Sequence, residues 1–172
     1  PSGPGQLPHR TPLIPFPSLT PSSRWVGKIR LPQVGIIGLP LTTQFFAHYH
    51  AVKPYLINDE PPPTRERLQS PEQRDELDGL WECILCGCCS GFCPSYWWNP
   101  DKFLGPAALL QGYRFIADSR DRATAERLEY LDDVYRLYRC RSIMNCTEVC
   151  PKHLSPSHAI ERIRAKLTRQ SL

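Results

Sequence analysis

The chain has 172 residues, enough for one ordinary domain plus an extension, and its composition is globular rather than disordered or collagen-like. The net charge of +4 comes from 21 basic and 17 acidic residues spread along the sequence, without the clustered lysines and arginines of a nucleic-acid footprint. The longest apolar runs fall far short of the ~20 residues of a membrane helix, and no signal peptide is recognisable. We therefore expect no nucleic-acid partner and no membrane span.

The N-terminal part is rich in proline, and most of the 19 prolines precede residue 64. Because a proline fixes φ and donates no backbone N–H, we predict an extended arm over residues 1–40 and a linker over residues 41–69. Within the arm, the run VGIIGLP from Val34 lacks the three-glycine spacing of a nucleotide-binding loop. It favours a short strand that is buried or covered by a partner.

From residue 70 the sequence carries helix signals. Ser70, Pro71 and Gln73 form a capping box, which predicts a helix that runs through Trp81 to the first cysteine. Apolar residues then recur at helical spacing in three further segments, the last of which follows the cap Ser155 and Pro156. The three apolar faces are Leu109, Tyr113 and Ile116; Leu128, Leu131, Tyr135 and Tyr138; and Ile160, Ile163 and Leu167. We predict an all-α domain over residues 70–172.

Five of the eight cysteines lie in the stretch CILCGCCSGFC, which begins at Cys83. Together with the proline that follows, four of them reproduce the spacing C-x2-C-x2-C-x3-C-P, which is typical of bacterial ferredoxins. In such a run the first three thiolates wrap around one iron–sulfur cluster, and the fourth belongs to a second cluster. One run therefore implies another.

The second run is CRSIMNCTEVCP, with Ile143 where the second cysteine would stand. If the fourth cysteine of each run binds the cluster of the other run, the two runs together form two cluster sites. An aliphatic side chain at the vacant corner does not retain a fourth iron, so we predict one 4Fe-4S and one 3Fe-4S cluster. The 4Fe-4S ligands are Cys83, Cys86, Cys89 and Cys150, and the 3Fe-4S ligands are Cys93, Cys140 and Cys146. Cys88 is left over and is predicted to be a buried non-ligand near the first cluster.

A zinc-stabilised interaction module is the non-redox alternative, but zinc ribbons and fingers usually present isolated C-x2-C pairs. A disulfide framework is disfavoured because the neighbours Cys88 and Cys89 need separate partners of suitable geometry. Two adjacent clusters of different type instead indicate an electron relay. Trp97 and Trp98 follow the first run. We expect one of them in the core, while the flat face and donor N–H of an indole also suit a site for a ring-shaped redox ligand.

These motifs resemble the iron–sulfur subunit of succinate dehydrogenase, respiratory complex II, of mitochondria and bacteria. The resemblance extends from about Leu39 to Leu172. It is carried by LTTQFFAHYHAVKPYL, CILCGCCSGFCPSYWWNPDKFLGPAALL, YRFIADSRD, CRSIMNCTEVCPK and AIERI. It implies that electrons from succinate, oxidised at FAD in a separate flavoprotein, pass through iron–sulfur clusters to ubiquinone. A fumarate reductase subunit has the same motifs and remains an alternative.

The resemblance also implies membrane anchor subunits with a haem b, and a location on the matrix side of the mitochondrial inner membrane. By motif match Trp98 contacts the quinone, and Pro94, Ser95 and Ile143 line its pocket. Where the family usually has histidine, this chain has Arg141, whose guanidinium does not titrate. We expect Arg141 to modulate the quinone site.

The family's N-terminal domain holds a 2Fe-2S cluster through the spacing C-x4-C-x2-C...C. That spacing is missing, since no cysteine precedes Cys83. We therefore predict a split subunit, as in euglenozoan protists, with the 2Fe-2S cluster on a separate chain. The proline-rich arm would dock on that chain or on neighbouring subunits and become ordered on assembly.

Overall fold

The computed structural model describes residues 34–61 and 63–170, and only the backbone of residues 34–42. Within these ranges the chain forms helices and irregular segments and contains no β-strand, which confirms the predicted all-α class for the described part. The helices are α1 (Val34–Ala51), α2 (Pro71–Asp75), α3 (Cys88–Gly91), α4 (Pro94–Trp98), α5 (Gly105–Ala117), α6 (Thr124–Leu131), α7 (Asn145–Glu148) and α8 (Pro156–Gln170).

The first helix corrects the prediction for the end of the arm. α1 begins at Val34, so the run predicted as a strand is helical, and residues 34–40 are not extended. A short apolar run cannot be assigned to strand or helix from periodicity alone, and Pro40 removes only one N–H from the helix. The first part of the predicted linker, residues 41–51, is helical as well. The rest of the predicted arm, residues 1–33, lies outside the described residues.

The predicted capping box starts α2. The amide of Gln73 donates to Ser70 Oγ at 3.3 Å, and the amide of Ser70 donates to Gln73 Oε1 at 3.1 Å. The helix ends at Asp75 rather than at Trp81, and turns through Gly79, whose φ is +78°, complete the path to the first cysteine. The cap is confirmed, and the predicted length is wrong.

The helix predicted to reach Tyr138 ends early as well, since α6 stops at Leu131. The carboxylate of Asp133 accepts the N–H groups of Tyr135 and Arg136 at 2.8 and 2.9 Å. Side chains of this kind offer the backbone an alternative to the helical ladder, which is why a pair of aspartates can interrupt an apolar period.

The centre of the fold is α5, in which every residue except Arg114 is buried. It contacts α8 most extensively, and it also contacts α1, α3 and α6. The side chains of Leu109, Leu137 and Ile163 are fully buried, and each stabilises the fold by roughly 1.5–3 kcal/mol. The predicted apolar faces of α5 and α8 are therefore confirmed. Among the helices of the described ranges, none is both long and apolar enough to cross a bilayer.

A buried ion pair fastens the segment after α1 to the core. The side chains of Arg127 and Asp121 are 4% and 0% exposed, and Arg127 Nη2 lies 2.9 Å from Asp121 Oδ2. The guanidinium also donates to the carbonyls of Val52, Lys53 and Tyr55, each at 2.8 Å. This part of the predicted linker is thus attached to the helical domain.

Candidate metal centre

The two cysteine runs adopt the same unusual backbone. Leu85 and Gly87 in the first run have φ values of +55° and +75°, and Ser142 and Met144 at the same places in the second have +54° and +69°. Left-handed residues turn successive N–H groups inward, and such concavities bind anions and iron–sulfur groups. Met144 adopts this conformation without the freedom of glycine, which costs about 1 kcal/mol or more. The surrounding fold therefore enforces the loop shape.

A one-turn helix lies directly before the fourth cysteine of each run. In the first run the amide of Cys93 donates to Ser90 O at 3.2 Å, and in the second the amide of Cys150 donates to Thr147 O at 3.3 Å. The same turn in both runs shows that the repeat in the sequence is also a repeat in the structure. We call these two segments the first loop (residues 83–93) and the second loop (residues 140–150).

Each loop forms one side of a recess. The first recess encloses about 400 Å³ of space, part of it open to solvent, and the second encloses about 360 Å³. The cysteines that line the first recess are Cys83, Cys86, Cys89 and Cys150. The cysteines that line the second recess are Cys93, Cys140 and Cys146. These are the two ligand sets that the exchanged spacing predicts, with the fourth cysteine of each run beside the other loop.

The two recesses lie side by side on α5. Ala107 forms one small buried cluster with Cys89 and Cys146, one cysteine from each recess. Ile143 lines the second recess, in the loop position that Cys86 holds at the first. One recess therefore presents four thiols, and its neighbour presents three thiols and an aliphatic side chain.

Burial makes three of these thiols poor acids without a cation. Burial raises the pKa of Cys89 to about 12, and burial is also the main cause that raises the pKa values of Cys93 and Cys146. Such thiols ionise only beside a strong positive charge, which the irons of a cluster supply. Two backbone amides also face cysteine sulfurs, those of Leu154 at 3.4 Å from Cys150 Sγ and Ser142 at 3.5 Å from Cys140 Sγ. The residues present thus fit an iron–sulfur group.

The same thiols fit a single ion less well. Zinc holds each sulfur at about 2.3 Å, which gathers four thiols around one point. Within residues 34–61 and 63–170, no three histidine, cysteine or acidic side chains converge in this way. The thiols instead line the walls of two recesses, as a cluster of several atoms requires. All eight cysteines are free of disulfide bonds.

The predicted quinone residues separate into two groups. Pro94, Ser95, Arg141 and Ile143 line the second recess. Trp98 does not line it, and its side chain is 79% exposed.

Both adjacent tryptophans lie on the surface. Trp97 is 57% exposed, and its indole N–H donates to Gly91 O at 2.6 Å. The expectation that one of the pair, Trp97 or Trp98, belongs to the core is therefore wrong. The sequence misled because a large aromatic residue is usually buried. Phe92, Ile143 and Met144 are also more than half exposed, so apolar side chains concentrate in the segments that border the second recess.

Cys88 also differs from its prediction. It is half-buried rather than buried, and it lines neither recess. A hydrogen bond with Cys86 is the main cause that raises the pKa of its thiol. The side chain therefore lies close to the first recess without lining it.

Sequence reasoning missed a group of hydroxyls beside the second recess. Thr147, Ser155 and Ser157 lie within 3.5 Å of one another in pairs, and Ser157 lines the recess. One sequence feature could have indicated this group. A hydroxyl residue directly follows the third cysteine position of each run, Ser90 in the first run and Thr147 in the second.

The helical fold and the two thiol-lined recesses define a ferredoxin-like iron–sulfur domain. Consistent with this class, residues 82–155 match the family model described as the 4Fe-4S dicluster domain. Two relatives of the chain are succinate dehydrogenase iron-sulfur subunits. The one from Coxiella burnetii is 61% identical over 128 residues, which cover 74% of this chain and 54% of the relative. The one from Paracoccus denitrificans is 56% identical over 126 residues, which cover 73% of this chain and 49% of the relative. The chain thus spans about half the length of these relatives.

Proposed function

We propose that this chain is an electron-transfer component of a succinate:ubiquinone oxidoreductase. It receives electrons that originate at the FAD of a flavoprotein and passes them through a 4Fe-4S cluster in the first recess and a 3Fe-4S cluster in the second. Ubiquinone is the acceptor. The observation that carries this proposal is the pair of adjacent recesses, one with four thiols and one with three thiols and Ile143.

The roles of the residues follow from their positions. The cysteines of each recess hold its cluster as thiolates, and the clusters supply one-electron chemistry when bound. Ala107 forms a buried cluster with Cys89 and Cys146, one cysteine of each site, and this proximity favours electron transfer between the sites. Ile143 excludes a fourth ligand from the second site. Arg141 places a fixed positive charge at the edge of that site, where a quinone gains electrons.

The rest of the assembly belongs to the same proposal. The relatives are about twice as long as the matched segment, and no cysteine precedes Cys83 here. We propose that the 2Fe-2S cluster lies outside residues 1–172, on a separate chain of a split subunit of the euglenozoan kind. Membrane anchor subunits, with a haem b, cover the exposed apolar side chains beside the second recess, on the matrix side of the mitochondrial inner membrane. Such apolar concentrations mark protein or membrane contacts.

Low-temperature EPR with metal analysis of the purified complex tests the cluster assignment. We expect an oxidised-state signal from a three-iron centre and about seven irons on this chain, by the ligand count of four plus three. We also expect a separate small chain that co-purifies with the 2Fe-2S signal. Two four-iron centres on this chain would contradict the 3Fe-4S assignment, and zinc in place of iron would contradict the function.

Replacing Trp98 with leucine is expected to lower ubiquinone reduction about tenfold or more, because an exposed indole that contacts a partner or ligand often dominates the binding energy. Reduction of an artificial acceptor at the flavin should be largely unchanged. Steady-state assays with the two acceptors measure the difference. Trp81→Leu is the matched control, since Trp81 is also an exposed tryptophan, at 47%, but precedes the first loop and does not belong to the segments that border the second recess. Equal loss of both activities in Trp98→Leu would show a structural role instead.

A further inference from the structure

One arginine of α8, Arg164, is held against the second loop. Its Nη2 donates a hydrogen bond to the carbonyl oxygen of Cys140 at 2.8 Å, and Cys140 lines the second recess. The guanidinium carbon lies 6.0 Å from the centre of the Tyr138 ring. The side chain is half-buried, and its Nε is enclosed without a hydrogen-bond partner among the described residues. The guanidinium is therefore fixed beside the first cysteine of this loop.

The positive charge of Arg164 has no counter-charge in direct contact. In the part of the chain that the structure describes, no carboxylate lies within 4.0 Å of its guanidinium. Glu161 lines the same cleft as Arg164, but it is exposed and forms no ion pair with it. This cleft adjoins the second recess, because Ser142 and Met144 line both. A half-buried charge is screened by salt less than an exposed one, so the field of Arg164 reaches the second site.

The first recess lacks this arrangement. Cys83 is the counterpart of Cys140, because each is the first cysteine of its run. Among the described residues, no side chain donates a hydrogen bond to the carbonyl of Cys83. Lys152 lines the first recess, but it is exposed, and an ammonium group on a flexible stem is strongly hydrated. A fixed and half-buried cation thus distinguishes the second site from the first.

We propose that Arg164 raises the reduction potential of the cluster in the second recess above the value that its thiolates alone would set. The inference rests on the proposed function, which puts an iron–sulfur cluster in this recess. Transfer of one electron oxidises the first cluster and reduces the second, with no bond made or broken. The second cluster gains negative charge, and a nearby fixed cation stabilises the reduced form more than the oxidised form. Arg164 is a positioning residue that favours electron flow toward the second site.

Redox titration of the intact complex, followed by EPR, tests this role. Arg164→Met removes the charge and keeps an unbranched apolar stem. It is expected to lower the midpoint potential of the second-recess cluster and to leave that of the first nearly unchanged. The equilibrium constant for transfer from the first cluster to the second should fall about tenfold, which is 59 mV for a one-electron couple. Arg164→Lys keeps the charge and should restore most of the potential.

Arg162→Met is the matched control for Arg164→Met. Arg162 lies on the same helix, but it is exposed and lines neither recess. Because salt screens an exposed charge, this variant should leave both midpoint potentials unchanged. Arg164→Gln separates the charge from the hydrogen bond, since an amide can still donate to the Cys140 carbonyl. It should lower the potential of the second cluster as Arg164→Met does.

Two outcomes would overturn the inference alone. One is an unchanged midpoint potential in an Arg164→Met complex that retains the EPR signal of the second cluster. The other is an equal shift of both clusters, which would show a general disturbance of the domain. If Arg164→Met fails to hold the cluster, Arg164→Lys and Arg164→Gln decide the question, and equal potentials in these two variants would overturn it. Absence of any iron–sulfur signal in the unmodified complex would overturn the proposed function as well.

Discussion

Replacing Cys150 with serine is expected to remove the cluster of the first recess and to destabilise the helical domain by more than about 4 kcal/mol, as loss of a structural metal group does. Cys150 ends the second loop, yet it lines the recess formed by the first. When ligands come from distant segments, the binding free energy of the cluster is also folding free energy. Iron content, visible absorbance and thermal unfolding followed by circular dichroism measure the two effects.

Cys88→Ser is the matched control, because Cys88 lies in the same loop as three of the cysteines that line the first recess but itself lines neither recess. This variant should keep its full iron content and change the free energy of unfolding by less than about 1 kcal/mol. An iron loss equal to that of Cys150→Ser would show that Cys88 is a ligand. Retention of all iron in Cys150→Ser would refute the exchange of fourth ligands between the runs.

Replacing Arg127 with methionine is expected to destabilise the domain by about 3–5 kcal/mol, which is typical when one partner of a buried ion pair is removed. The carboxylate of Asp121 would remain buried without its counter-charge. The carbonyls that now accept from the guanidinium would lose their donor as well. Thermal unfolding of the cluster-loaded complex measures the loss, and we expect the segment after α1 to become susceptible to proteolysis before the core.

Lys53→Met provides the comparison for Arg127→Met. The ion pair between Lys53 and Glu126 joins the same two segments, but its side chains are 44% and 61% exposed. An exposed pair contributes only about 0–1 kcal/mol, so this variant should unfold almost as the unmodified protein does. Similar destabilisation by the two variants would contradict the role assigned to the buried pair.

Much of the site was predictable because its rules are local. The spacing of thiols within one run decides which side chains can face one cluster, and the fold forms both loops with the same left-handed positions. The capping box at Ser70 and the apolar stripe from Ile160 to Leu167 could also be predicted from the sequence, because their spacing extends over only three or four residues. The ends of α2 and α6 were missed because aspartates and a glycine outweighed the apolar period.

The sequence by itself determined the helical class, the two thiol runs and the presence of Ile143 where the second run lacks a cysteine. The tertiary structure decided which segments meet. Ala107 of α5 clusters with one cysteine of each recess, and Arg127 binds three carbonyls of a segment far away in the chain. The tertiary structure also decided that Trp97 and Trp98 are exposed, and that two serines of α8 and its cap reach Thr147. Periodicity and spacing describe neighbours along the chain, whereas these contacts depend on how helices pack across it.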